Sequence, residues 1–94
     1  MSQLTDNQKK RYREELPDWT IVEDRKIEKE FKFKDFAGAL AFVNRVGEIA
    51  EKMNHHPNIY IYGWNKVKLT LTTFATGGLS SNDFIEAQRI NRLK

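Results

Sequence analysis

The chain has no cysteine, only two prolines, and no apolar run near the roughly 20 residues that a membrane-spanning helix needs. No disulfide can staple the fold, which suits a reducing compartment. The opening residues, Met1-Ser-Gln-Leu-Thr-Asp6, contain no apolar stretch of the secretion-signal type. A cytoplasmic protein without a membrane span is therefore expected. Histidine is scarce as well: His55 and His56 are the only two, and they are adjacent. A metal site needs three or four convergent ligands, and two neighbours cannot easily share one ion, so no metal is expected.

A strong charge of one sign is also missing. Sixteen basic residues face 13 acidic ones, for a net charge of +3. Basic residues cluster at Lys9-Lys10-Arg11-Tyr12-Arg13, but elsewhere they mix with acids, as in Glu23-Asp24-Arg25-Lys26. A nucleic-acid module would usually show a basic face with aromatics set among the charges. A solvated surface is the better reading, and no nucleic-acid partner is expected.

What is present is a short chain of 94 residues, read as a single domain over 1–94. A domain this small buries only about two-thirds of its unfolded surface, so its stability is marginal unless something helps. With disulfides excluded, oligomerisation is the remaining common support.

Seven elements can be read between the turn signals. Thr5-Asp-Asn-Gln8 fits a capping box for a short helix that ends before Pro17. Trp19 to Glu23 reads as a strand, with Asp24-Arg25 as a turn. Lys26 to Lys34 alternates, with Ile27, Phe31 and Phe33 on one side, as a strand with one wet face does. Asp35 can cap a long helix running to about Asn54. Its apolar residues form two stripes: Phe36, Leu40, Val43 and Ala50, and Phe42, Val46, Ile49 and Met53. Together they span roughly 200°, wider than the ~100° that packing on one sheet requires. Other helices of the chain or a partner subunit could cover the excess; in so small a domain the partner is favoured. His55-His56-Pro57 follows the helix, because the residue before a proline disfavours helical geometry. Asn58 to Trp64 and Asn65 to Thr73 read as two more strands, the second with Val67, Leu69 and Leu71 on its core face. Gly77-Gly78 breaks the chain. Ser80 starts the last helix, with Asp83 as its capping-box acid. The order is α-β-β-α-β-β-α. It implies an α+β fold: a four-stranded antiparallel sheet with three helices packed on one face. Open sheet edges offer a second route to oligomers.

His55 and His56 are the candidates for chemistry. Histidine is the side chain best suited to moving protons near neutral pH. Glu51, one turn back, could orient or polarise one of them. Each candidate also has a plain structural reading. An exposed His pair suits the negative end of a helix dipole, and Asp83 is explained as a cap. Trp19 and Trp64 are most simply core or interface residues, and Gly77-Gly78 a loop needing unusual dihedrals.

Taken together these residues are more specific than any one alone. Glu51-Lys-Met-Asn-His55-His56-Pro57, then Trp64-Asn65-Lys66-Val67, Thr70-Leu71-Thr72-Thr73, Gly78-Leu79-Ser80 and Asp83 resemble the signature of the pterin-4a-carbinolamine dehydratase family. Trp19 and Phe31-Lys-Phe33-Lys-Asp35-Phe36 extend the likeness upstream, so that it covers about Trp19 to Asn91. The resemblance implies the same element order and an enzyme that dehydrates 4a-hydroxytetrahydropterin to the quinonoid dihydropterin. That step recycles the pterin of aromatic amino acid hydroxylases, with neither metal nor organic cofactor. It implies His56 as principal base, His55 as substrate-binding group or acid, Glu51 in support, and Asp83 at the site. Pro57, Trp19 and the segment Thr73, Phe74, Ala75 and Thr76 would complete the pocket. It also implies dimers or tetramers, formed through the 35–54 helix and the sheet edges. Some animal members of the family bind a transcription factor as well. Where the family usually carries a third His, or in some members a Trp, this chain has Phe74. Phe offers a ring face but no proton, which implies reduced rather than absent activity. The alternative is a weakly active or silent member that serves as a binding, assembly or regulatory partner.

Overall fold

The computed structural model describes residues 5–23, 25–73 and 78–93. The expected turn residue Asp24 and the segment 74–77 lie outside them, and with it the expectations for Phe74, Ala75, Thr76 and Gly77.

Helix α1 covers Asp6–Glu15 and opens on the expected capping box. The Gln8 N–H donates to Thr5 Oγ1 at 3.2 Å, and the Thr5 N–H donates to Gln8 Oε1 at 2.9 Å. Strands β1 (Thr20–Val22) and β2 (Lys26–Lys32) form an antiparallel pair. β1 is shorter than expected at both ends. Glu23 takes a left-handed φ of 55°, which stops extension, and Trp19 turns into the core. β2 stops two residues early, because the backbone N–H and C=O of Phe33 both bond to Asn65 instead.

Helix α2 covers Phe36–Met53, capped by Asp35, whose carboxylate accepts the Gly38 N–H at 2.7 Å. The expected end of this helix is right, but its agent is different. Asn54, not Pro57, makes the stop. Asn54 is left-handed (φ 50°), and the His55 N–H reaches back to Ala50 O at 3.1 Å. This is a Schellman-type closure, a geometry Asn tolerates better than most residues.

Strands β3 (Asn58–Tyr62) and β4 (Lys66–Leu71) follow. They are joined by a tight turn in which Gly63 (φ 55°) and Trp64 (φ 60°) are both left-handed, so β3 ends before Trp64. β4 also ends early, and Thr73 then makes a lone bridge with Gly78. Helix α3 (Ser81–Asn91) is the last element among the described residues.

The sheet order is β1-β2-β4-β3, antiparallel throughout. In β4, Val67, Leu69 and Leu71 are buried while Lys66, Lys68 and Thr70 are partly exposed. The buried side of the sheet shares one hydrophobic cluster with Leu16 at the end of α1, Ala39, Phe42 and Val46 of α2, and Phe84, Ala87 and Ile90 of α3. Lys29 also lies on this buried side, opposite Leu69. Its ammonium reaches the rim, 3.3 Å from Asn91 Oδ1, as long Lys stems allow.

Of the two apolar stripes on α2, one is covered. The buried residues are Ala39, Phe42, Val46 and Ala50, so Ala50 belongs to the inner stripe rather than the outer. Phe36 (48% exposed) and Leu40 (40%) face outward. Ile59 of the edge strand β3 is also exposed.

Candidate active site

The Asn54 turn decides where the two imidazoles go. A left-handed residue redirects the chain at the end of α2, so His55 enters the protein and His56 stays at its surface. His55 Nε2 lies 2.5 Å from Asp83 Oδ1, and the Asp83 side chain is fully buried. His56 Nε2 lies 3.3 Å from Glu51 Oε2, and both side chains are largely exposed. Adjacent residues are thus assigned to different carboxylates, one on α3 and one on α2.

Asp83 does more than cap its helix. Oδ2 accepts the Ser80 N–H at 2.9 Å, which is the capping-box contact. It also accepts the Thr73 hydroxyl at 2.9 Å, while Oδ1 faces His55. Thr73 Oγ1 and Ser80 Oγ are 2.8 Å apart. Thr73 has one hydroxyl proton and gives it to Asp83, so Ser80 must be the donor to Thr73. The result is a buried chain, Ser80 to Thr73 to Asp83 to His55, in which each hydroxyl and carboxylate fixes the next. Such networks in low dielectric hold their members in one geometry. The bridge between Thr73 and Gly78, with N–H···O distances of 3.1 Å in both directions, sets Thr73 beside the start of α3.

His56, Glu51 and Pro57 line an open hollow between the end of α2 and β3, with Gly47, Ala50 and Ile59. Its volume is about 820 Å³, within the size range of small-molecule sites. Glu51, His55, His56, Pro57, Thr73 and Asp83 therefore gather around the end of α2 and the start of α3. Trp19 is not brought there. Its indole N–H donates to Asn91 Oδ1 at 3.0 Å, at the opposite end of α3 from Asp83, and its ring meets Phe31 edge-on. It is a core residue whose one polar atom is satisfied locally.

One residue escaped the sequence reading. Glu86 is fully buried, and neither of its carboxyl oxygens has a hydrogen-bond partner. Burial, followed in weight by the Asp83 charge among the groups that push upward, raises its carboxyl from 4.5 to about 7, against the pull of His55, His56 and Arg89. The signal was in the spacing. Asp83, Glu86, Ala87 and Ile90 fall at i, i+3, i+4 and i+7, which places Glu86 on the inner stripe of α3.

The fold and this cluster define a class: a small α+β protein in which two adjacent histidines each meet a separate carboxylate. The comparisons give the family. The sequence model described as Pterin 4 alpha carbinolamine dehydratase matches residues 2–93. The chain belongs to that family. A Rubrobacter xylanophilus relative whose name assigns it provisionally to the same dehydratase is 43% identical over 79 residues, 84% of this chain and 73% of that one. The mitochondrial pterin-4-alpha-carbinolamine dehydratase 2 of Arabidopsis thaliana is 42% identical over 79 residues, 81% of this chain and 42% of its own length. Among solved structures, the transcriptional coactivator/pterin dehydratase of Brucella melitensis superposes with a TM-score of 0.88 at 33% identity, over 96% of both chains. A pterin dehydratase-like protein described as a RuBisCO assembly factor of the alpha-carboxysome gives 0.65 at 25% identity, over 80% of this chain and 84% of that one.

Among the described residues, no helix is long and apolar enough to cross a membrane.

Proposed function

We propose that this protein dehydrates 4a-hydroxytetrahydropterin to the quinonoid dihydropterin and so returns the pterin of an aromatic amino acid hydroxylase to its cycle. The observation that carries this reading is the split pair: adjacent imidazoles held by separate carboxylates, His55 by Asp83 and His56 by Glu51. The reaction breaks the C–O bond at the ring carbon and forms a C=N bond. The leaving hydroxyl takes up a proton and departs as water, while the neighbouring ring nitrogen gives one up. Two proton carriers of different character suit that pair of transfers, and each positioned group is typically worth ~10²–10⁴ in rate.

In this scheme His56, open to the hollow, is the base, and Glu51 steadies it. His55, backed by Asp83, binds the substrate and supplies the proton for the leaving oxygen. Pro57, Thr73, Phe74, Ala75 and Thr76 complete the pocket, and neither metal nor organic cofactor takes part. A cytoplasmic setting belongs to the same proposal, although the Arabidopsis relative is named as mitochondrial.

The exposed stripe of α2 and the open edge of β3 support a homodimer or tetramer. Gly47 lies mid-helix beside that stripe, and an added Cβ there would meet nothing within 4 Å. Glycine in a helix interior is unfavourable by roughly 1 kcal/mol relative to Ala. Among the described residues no contact requires it, whereas close approach of a second helix would.

That same outward stripe favours a second reading, a binding or assembly partner with little turnover. Stopped-flow absorbance of 4a-hydroxytetrahydropterin decay separates the two. Wild type is expected to accelerate the spontaneous decay, His56→Ala to lose about 10²-fold or more of that acceleration, and Phe74→His to gain. A wild type that leaves the spontaneous rate unchanged would sink the enzyme reading and leave the binding one.

A further inference from the structure

Glu86 is where the fold departs from ordinary economy of packing. Among the described residues, its two oxygens are the buried side-chain polar atoms that lack any hydrogen-bond partner. The neighbouring position one turn earlier, Asp83, has His55, Thr73 and the Ser80 N–H. Neither oxygen finds a donor within hydrogen-bond distance. The inner faces of α2 and β4 are apolar, built of Ala39, Phe42, Val46 and Ala50, and of Val67, Leu69 and Leu71. The charged or titratable groups that act on it are His55 and His56 from the turn after α2, and Asp83 and Arg89 from α3 itself. A leucine would fill this stripe without an orphaned polar group. A buried carboxyl left in this way calls for an explanation, and it avoids the large penalty of an unpaired buried charge only while it is neutral.

We propose that Glu86 is a positioning residue for His55, a second carboxyl behind the His55–Asp83 pair whose ionisation and the cationic state of His55 favour each other. Below about pH 7 Glu86 is the neutral acid. When His55 takes up a proton, loss of the Glu86 proton leaves the charge of the three groups together unchanged. The buried cluster can therefore hold a cationic imidazole without gaining net charge. This gives His55 a proton to deliver to the leaving hydroxyl, in a chain whose residue 74 is Phe, which has no proton to give. After delivery, Glu86 regains its proton from solvent. Glu86 touches neither substrate nor reacting atoms in this scheme; it acts through His55. The catalytic consequence rests on the dehydratase reading, whereas the coupling does not.

The test uses the full-length protein and the variants Glu86→Gln, which keeps the shape, and Glu86→Leu, which keeps the packing. The His55 ring resonances are followed by NMR across the neutral pH range, beside the pH profile of the dehydration rate. Wild-type His55 is expected to register the ionisation of Glu86 as an inflection near pH 7, absent from both variants. Their rate profiles are expected to lose the limb at that pH, with turnover lowered by about tenfold, the factor for one unit of coupling. If His55 registers no such inflection in the wild type, or if both variants keep the wild-type NMR titration and rate profile and differ only in stability, the proposal is overturned. Should wild type show no turnover at all, the dehydratase reading fails, and the NMR titration alone decides for or against the coupling.

Discussion

His55 and His56 share a peptide bond, yet their side chains are 13% and 57% exposed, and their carboxylates, Asp83 and Glu51, are 0% and 79% exposed. The inner pair is tied into a hydrogen-bonded chain that reaches the cap of α3; the outer pair hangs at the rim of an open hollow. Exposed pairs of the outer kind contribute little to folding, about 0–1 kcal/mol. Inner pairs cannot lose one member without stranding the other in low dielectric. The comparison teaches that neighbours in sequence can be held in opposite ways. The inner imidazole is built into the fold by a buried carboxylate, and the outer one meets its carboxylate at the surface.

The comparison can be broken most severely from the inside. Asp83→Ala removes the partner of His55, the acceptor of Thr73 and the capping acid of α3 in one step. A loss of about 3–5 kcal/mol is expected, read as a fall in the urea unfolding midpoint, and in a domain this small that approaches the whole stability.

A second test sharpens the inner half through its pH dependence. Below about 4.5 the Glu86 carboxyl is protonated in folded and unfolded chains alike. Between 4.5 and about 7 the unfolded chain releases this proton and the folded chain keeps it, so stability falls as pH rises through that window. The total is roughly 3 kcal/mol, at about 1.4 per unit. Urea midpoints of wild type measured against pH should show this decline, and Glu86→Leu should flatten it.

The smallest effect is expected at the rim. Glu51→Ala should change the unfolding midpoint by less than about 1 kcal/mol. A larger change would mean that the outer pair is structural and that the contrast between the two histidines is false.

Much of this arrangement was legible in the sequence, because its signals are local. The capping boxes at Thr5-Gln8 and Ser80-Asp83 and the alternation in β2 and β4 mark elements by chemistry within a few residues, and the structure follows them. Element ends were less legible. Asn54, Gly63 and Trp64 stop their elements through left-handed backbone, which Asn and Gly hint at and Trp does not. Six of the candidate residues gather in the structure, but the geometry of their gathering was not legible. The dipeptide His55-His56 does not say which ring goes inward; the Asn54 turn does. Asp83 is fully accounted for as a cap by sequence, so its contacts with His55 and Thr73, which are distant in the chain, could not be read there. Glu86 was overlooked because a Glu in a helix is ordinarily a solvated residue. Only its spacing with Ala87 and Ile90 marks it as inner.

The sheet order has a consequence for how the chain is made. β4 is the hub, paired with β2 on one side and β3 on the other. β2 is synthesised early, but its partner arrives only after the whole of α2 and β3. Until then β1 and β2 are a lone two-stranded hairpin, which is marginal in water. Thr73, Ser80, Asp83 and Glu86 come later still. A nascent chain on the ribosome therefore holds no finished half of this protein. Its core closes, and the cluster around His55 and Asp83 assembles, only once α3 has been made.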